Sequence, residues 1–245
     1  MIVEKRTPER GTALITGGAK RIGRTIALAL AREGFAIALH YRSSHAEADA
    51  LAGEIRELGV EAATFRCDFS DPNEVSALID RVFAVFPDCR ILVHNASLFE
   101  RATLPETTPE FFDRLMTVNL KTPIFLSRAF AGRCESGQII TLLDTRIRRQ
   151  QTSHFVYSLT KKALRDFTQM AAKALAPGIR VNGIAPGLIL PSAEGGPEAF
   201  RRMGEKIPLG HTGDPEDIAR AVLFLVRNDF ITGECLYIDG GEHLI

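Results

Sequence analysis

The chain has 245 residues and 45% of them are hydrophobic, enough for one large buried core. Its 30 basic side chains balance its 30 acidic ones, so the formal net charge is zero. That balance excludes bulk electrostatic binding to nucleic acid or to an anionic membrane surface.

In chain order, the N-terminal MIVEKRTPER has no apolar stretch, and no secretory signal is expected there. Short apolar runs predict strands near 11–16, 36–41, 62–66, 90–95, 137–143, 179–185 and 235–239. Between them, helices are expected near 21–33, 45–58, 72–86, 107–131, 155–176 and 215–227. Strands separated by helix-length segments imply βαβ units and a parallel sheet covered on both faces. Right-handed crossovers then favour a doubly wound α/β sheet. No Pro-, Gly- or Ser-rich linker splits the chain, so 1–245 reads as a single domain. The stretch 190–204 is the most turn-rich and reads as a substrate lid, extending to 210, or as a plain connecting loop. No apolar run approaches the ~18 residues of a membrane span. Cys67, Cys89, Cys134 and Cys235 form no CxxC pair. They are expected to be reduced and mostly buried, with no metal site, in the cytoplasm.

The first strand runs into Thr16-Gly17-Gly18-Ala19-Lys20-Arg21-Ile22-Gly23 and then a helix. Gly17 permits a tight turn, and Gly23 lets the helix lie close to the sheet. The helix N-terminus offers free N–H groups to a pyrophosphate. The bland alternative is an ordinary strand–helix turn. The second strand ends His40-Tyr41-Arg42-Ser43-Ser44, without the acid that binds adenosine ribose hydroxyls in many dinucleotide sites. Arg42 and the serines suit a 2′-phosphate, so NADP(H) is expected over NAD(H). Asp68 suits an adenine amino group, or else caps the next helix, a task that Ser70 or Asp71 fits more obviously. Asn95, Ala96 and Ser97 end the fourth strand, where a crevice opens beyond the strand C-termini.

Tyr157 and Lys161 stand four apart in a helical pattern, on one face. A free phenol has a pKa near ~10. A neighbouring ammonium and a cationic nicotinamide are expected to lower it and make a tuned general acid. The bland alternative is an amphipathic surface pair.

Phosphate loop, NAS and YSLTK in this order resemble the short-chain dehydrogenase/reductase family, together with TVNLK, VNGIAPG and YIDGG. The resemblance spans essentially the whole chain. It implies a three-layer, Rossmann-type, seven-stranded parallel sheet and a nicotinamide cofactor. It implies Tyr157 as proton donor and Lys161 as its partner on the nicotinamide ribose. Asn119 would hold a relay water, and Pro186 and Gly187 would lie beside the nicotinamide. The cofactor set is then Gly17, Arg21, Ile22, Gly23, His40, Tyr41, Arg42, Ser43, Asp68, Asn95, Ala96, Ser97, Tyr157, Lys161, Pro186 and Gly187. Helices 107–131 and 155–176 resemble the family's four-helix dimer contact, and ECLYIDGGEHLI resembles its second interface. A homotetramer of D2 symmetry is implied.

Two positions depart from the family pattern. The usual serine thirteen residues before the tyrosine is Asp144. An ionised carboxylate accepts hydrogen bonds and cannot donate one to a carbonyl oxygen. Arg21 replaces a loop glycine. Both, with LHYRSSHAEA and NASLF, resemble the pteridine reductase branch of the family. That resemblance implies NADPH-dependent reduction of a dihydropterin or dihydrofolate at a C=N bond. The catalytic set is Asp144, Tyr157, Lys161 and Asn119. Substrate contacts fall to Arg21, Ser97, Phe99, Asp144 and Tyr157, with Phe99 stacking on the pterin. Phe99 is otherwise a core aromatic, Asp144 a cap or ion-pair partner, and Arg21 a phosphate clamp only. Arg146, Arg148 and Arg149 form a basic loop in which Arg148 is a candidate for an anionic substrate tail. The rival readings are an NADPH-dependent reductase of ketones such as 3-oxoacyl thioesters, and a non-enzymatic NADP(H)-binding sensor.

Overall fold

Alternating side chains set the layers. In β1 (Thr12–Ile15) Ala13 and Ile15 enter one apolar cluster, and Leu14 enters the opposite one. β2 (Ala36–Tyr41) repeats this with Ile37 and Leu39 against Ala38, and β4 (Cys89–His94) with Ile91 and Val93 against Leu92. Successive strand residues point to opposite faces, so a sheet apolar on both faces needs helices on both. With β3 (Ala62–Arg66), β5 (Gly137–Leu142), β6 (Ile179–Pro186) and β7 (Cys235–Ile238), the strands lie in the order β3-β2-β1-β4-β5-β6-β7. Every pairing is parallel. The computed structural model describes residues 10–191 and 196–245.

One face is covered by α1 (Arg21–Arg32), α2 (His45–Glu57) and α8 (Pro215–Arg227) through Ile26, Leu30, Leu51, Ile55 and Val222. The other is covered by α3 (Pro72–Val85), α5 (Thr122–Ala131) and α6 (Phe155–Leu175) through Leu78, Val82, Phe130 and Ala171. Helix starts are written in the sequence as a capping side chain followed by proline. Asp71 accepts from the Asn73 N–H, and Asp214 forms a capping box with Asp217. Thr108 accepts from the Phe111 N–H at the start of α4 (Pro109–Met116).

The helix expected over 107–131 is interrupted. A π-helical turn, Thr117–Lys121, separates α4 from α5. Pro123 lacks the N–H that would close an α-helical bond onto the Asn119 carbonyl, so a wider turn fits here. The turn-rich stretch before 204 holds a short helix that periodicity did not reveal, α7 (Pro197–Gly204). Residues 192–195 of the expected lid lie outside the described residues. Cys67, Cys89 and Cys134 are buried, Cys235 is half-buried, and all are free thiols.

From β1 the chain winds outward through β2 and β3, then crosses back to β4 on the other side of β1. The loops after β1 and β4 therefore diverge, and a crevice opens between them at the strand C-termini.

Candidate active site

A cavity of about 650 Å³ fills this crevice. Arg42 and Ser43 stand at one end, the loop 17–23 along it, and Asp144, Tyr157, Lys161, Pro186 and Gly187 at the other. Ile22, Asp68, Asn95, Ala96, Ser97 and Phe99 also line it. Asn119 does not.

The loop after β1 is held by His40. The Gly17 N–H donates to His40 Nδ1 at 3.0 Å, and the Gly18 N–H donates to the His40 carbonyl at 2.9 Å. Because Nδ1 accepts, Nε2 carries the proton and donates to the Cys67 carbonyl at 3.0 Å. The ring also stacks on Phe69 at 4.2 Å. Burial pushes its pKa down to about 4. His40 therefore lines the cavity but spends both nitrogens on protein.

Gly17 has φ +61, a left-handed conformation, and a Cβ there would sit 3.0 Å from Ala96 Cα. At Gly23 a Cβ would meet the Gly17 carbonyl at 2.4 Å and Asn95 Nδ2 at 2.6 Å. The loop closes this tightly because Asn95 Nδ2 donates to the Thr16 and Gly17 carbonyls at 2.9 and 3.0 Å. Arg21 stands at the helix start with φ 54. A side chain held there costs roughly 1–3 kcal/mol, strain that clusters at functional sites. Its guanidinium reaches the Pro191 carbonyl at 3.4 Å. The first N–H groups of α1 have no carbonyl of their own helix to bond. These features fit a dinucleotide: a cationic end, a helix N-terminus for a diphosphate and a loop that its glycines let fold tightly against Asn95 and Ala96. Asp68 adds an acceptor, fixed by the Ser70 N–H and hydroxyl at 2.9 and 2.7 Å, while Asp71 caps α3. Tyr41 is buried, with its hydroxyl bonded to His45.

At the opposite end, Tyr157 Oη donates to Asp144 Oδ2 at 2.8 Å. Asp144 is also the N-cap of a 3₁₀ turn, Thr145–Arg148, and its Oδ1 accepts from the Arg146 N–H at 2.8 Å. Arg146 Nη1 donates to Asp144 Oδ2 at 3.1 Å. Cap, ion pair and tyrosine partner are thus one carboxylate. The expected lowering of the Tyr157 pKa joins Lys161 to a cationic nicotinamide; in the chain by itself that pKa is not lowered. Burial raises it well above the usual phenol value, and the Asp144 charge and hydrogen bond add to this. Lys161 Nζ donates to the Leu142 carbonyl at 2.7 Å and lies 5.7 Å from the Tyr157 ring centre. Burial brings Lys161 itself down to about 8.

Further side chains are placed by the structure. The side chain of Asn119 is bonded to protein, so a relay water there would fall to its backbone carbonyl. Its Oδ1 accepts from the Leu98 N–H at 2.8 Å and Ser97 Oγ at 3.2 Å, and its Nδ2 donates to the Leu98 carbonyl at 2.9 Å and Thr160 Oγ1 at 3.4 Å. It fixes the segment that carries Ser97 and Phe99. Arg148 is exposed and outside the cavity lining, and Arg149 is turned to Glu242, so Arg146 is the arginine of that loop at the site. Phe99, 44% exposed, already stacks on His154 at 4.5 Å and meets Tyr157 edge-on at 4.8 Å. It is an aromatic wall of the site and not a core residue. Sequence reasoning missed the Arg146–Asp144 pairing. A spacing of two is no helical pair, and only a capped 3₁₀ turn brings the two together.

The protein family described as Enoyl-(Acyl carrier protein) reductase matches residues 17–243. A 3-oxoacyl-[acyl-carrier-protein] reductase of Staphylococcus aureus is 33% identical over 247 residues, covering 95% of this chain and 98% of its own. Among solved structures, FolM alternative dihydrofolate reductase 1 from Brucella suis, in complex with NADP, is 35% identical with a TM-score of 0.93. That match covers 98% of this chain and 97% of the other. A short-chain dehydrogenase from Burkholderia cenocepacia, also with NADP, is 33% identical with a TM-score of 0.88, covering 95% and 97%.

Proposed function

Since the chain belongs to the short-chain dehydrogenase/reductase family of NAD(P)-dependent oxidoreductases, we propose that it is a pteridine reductase, taking a dihydropterin or dihydrofolate to the tetrahydro form. The cofactor is NADP(H). Arg42 and Ser43 would hold its 2′-phosphate, Arg21 and the start of α1 its diphosphate, and Lys161, Pro186 and Gly187 its nicotinamide end. When bound, the cofactor supplies a hydride. The chain supplies position and a proton. Tyr157 Oη holds that proton beside the cavity, and Asp144 Oδ2 accepts from it. Lys161 keeps positive charge behind the pair, and Phe99 offers a wall for a flat ring. The domain 1–245 would act as a cytoplasmic homotetramer. Exposed Phe112, Phe125 and Met170 on the α4–α6 side and Phe224, Leu244 and Ile245 near β7 are apolar groups that such interfaces would cover.

The single observation that carries this reading is Asp144 bonded to Tyr157 at 2.8 Å. A carboxylate there accepts N–H groups and repels a carbonyl oxygen. The likeness to FolM alternative dihydrofolate reductase 1 supports the same substrate class. The S. aureus relative favours a second reading, reduction of a 3-oxoacyl thioester. The variant Asp144→Ser separates the two. Steady-state kinetics should show kcat/KM for dihydropterin falling by about a hundredfold or more, with ketone reduction unchanged or raised. Loss of ketone reduction alone would favour the thioester reading.

A further inference from the structure

Of Arg146, Arg148 and Arg149, Arg146 alone lines the cavity. Its Nη1 donates to Asp144 Oδ2 at 3.1 Å, and its Nε donates to Gln151 Oε1 at 2.7 Å. Its guanidinium carbon stands 5.0 Å from the centre of the Phe99 ring. The Arg146 and Asp144 side chains are only 22% and 13% exposed. Three partners therefore hold a largely buried guanidinium, so its plane is fixed before any ligand arrives.

A carboxylate accepts on both oxygens and donates on neither, whereas a guanidinium donates on every N–H and accepts on none. Their pairing sets an acceptor and a donor side by side, next to the proton of Tyr157. We propose that Asp144 and Arg146 together read the edge of a planar heterocycle on which an N–H donor adjoins a carbonyl or imine-nitrogen acceptor, with Arg146 as the specificity-determining residue. The ligand N–H goes to Asp144 and the ligand acceptor goes to the N–H groups that Arg146 does not spend on Asp144 and Gln151. A ligand without the donor leaves the largely buried carboxylate short of a partner, and that mismatch is costly. A simple ketone offers an acceptor and no donor. A 2-amino-4-oxo pyrimidine ring offers both, which is how this inference deepens the pteridine reading and rests on it for the identity of the ligand.

The test is binding, measured by calorimetry on NADP⁺-loaded protein. The two ligands are 7,8-dihydropterin and an analogue whose N3 and 2-amino hydrogens are replaced by methyl groups. Wild-type protein should bind the parent compound at least about tenfold more tightly. Arg146→Gln, which keeps the Asp144 acceptor and loses the donors for the ligand acceptor, should bind the parent compound at least about tenfold more weakly than the wild type. Equal affinity in the wild type, binding of neither compound, or unchanged affinity of Arg146→Gln for the parent compound would each overturn the proposal. The wild-type comparison decides on its own if the variant does not fold. Discrimination without turnover of any dihydropterin would keep the edge recognition and remove the reductase reading, and turnover without discrimination would do the reverse.

Discussion

His40 shows how one side chain can set the shape of a site through bonds to protein alone. Its ring accepts from Gly17 and donates to Cys67, and its carbonyl accepts from Gly18. The loop proposed to face the diphosphate is therefore tied to β2 and to the end of β3. His40→Phe keeps a ring to stack on Phe69 and removes both side-chain bonds. Its dissociation constant for NADPH, measured by fluorescence titration, should rise about tenfold, with kcat at saturation changed far less. An equal fall in kcat would show that His40 acts on the chemistry. Residue types were legible in the sequence here, and bonding was not. The sequence places His40 at the cofactor and Asp144 at the serine position. It does not say that the His40 nitrogens are consumed by backbone, or that Asp144, Arg146 and Tyr157 share one carboxylate. Those facts arise from chain segments brought together by the sheet and by a single 3₁₀ turn.

Elements were more legible than residues. All seven strands and six of the helical stretches follow from alternation, periodicity and the cap–proline pairs. The two misreadings have local causes. The π turn at Thr117–Lys121 needs no change in apolar pattern, since only Pro123 marks it. α7 spans eight residues in a Gly- and Pro-rich stretch, too short for periodicity to stand out. The packing of α1 against the sheet gives a test at this scale. A Cβ at Gly23 has backbone 2.4 Å away, so the helix start must shift. Gly23→Ala should lose roughly 1–3 kcal/mol of stability, read from urea midpoints. It should also weaken NADPH binding, because the same helix end is proposed to hold the diphosphate. Unchanged binding would mean that the loop is not the cofactor grip.

The whole molecule carries a pH dependence written by buried histidines. Burial lowers His40 to about 4 and His94 to about 3, against an ordinary value of 6.5. Both are neutral in the folded protein at mild acidity. The unfolded chain then binds protons that the folded chain does not, so stability is full above about pH 6.5 and falls as pH drops toward 4. Each histidine should remove about 2 kcal/mol between pH 7 and pH 5, measurable by urea unfolding. A flat profile would mean that these rings are hydrated. At this scale the fold and the nicotinamide cofactor were legible because the phosphate loop, the strand ends and the Tyr157–Lys161 pair lie in one order along the chain. Substrate class was marked in the sequence only by the departures at Asp144 and Arg21, since it turns on a few side chains at one end of a shared crevice. The most direct test is therefore the rate of NADPH oxidation by the wild-type protein with dihydropterin, dihydrofolate and a 3-oxoacyl thioester, with NADH as the control cofactor. Turnover of a dihydropterin or dihydrofolate with preference for NADPH is the predicted result. Turnover of the thioester alone would contradict it.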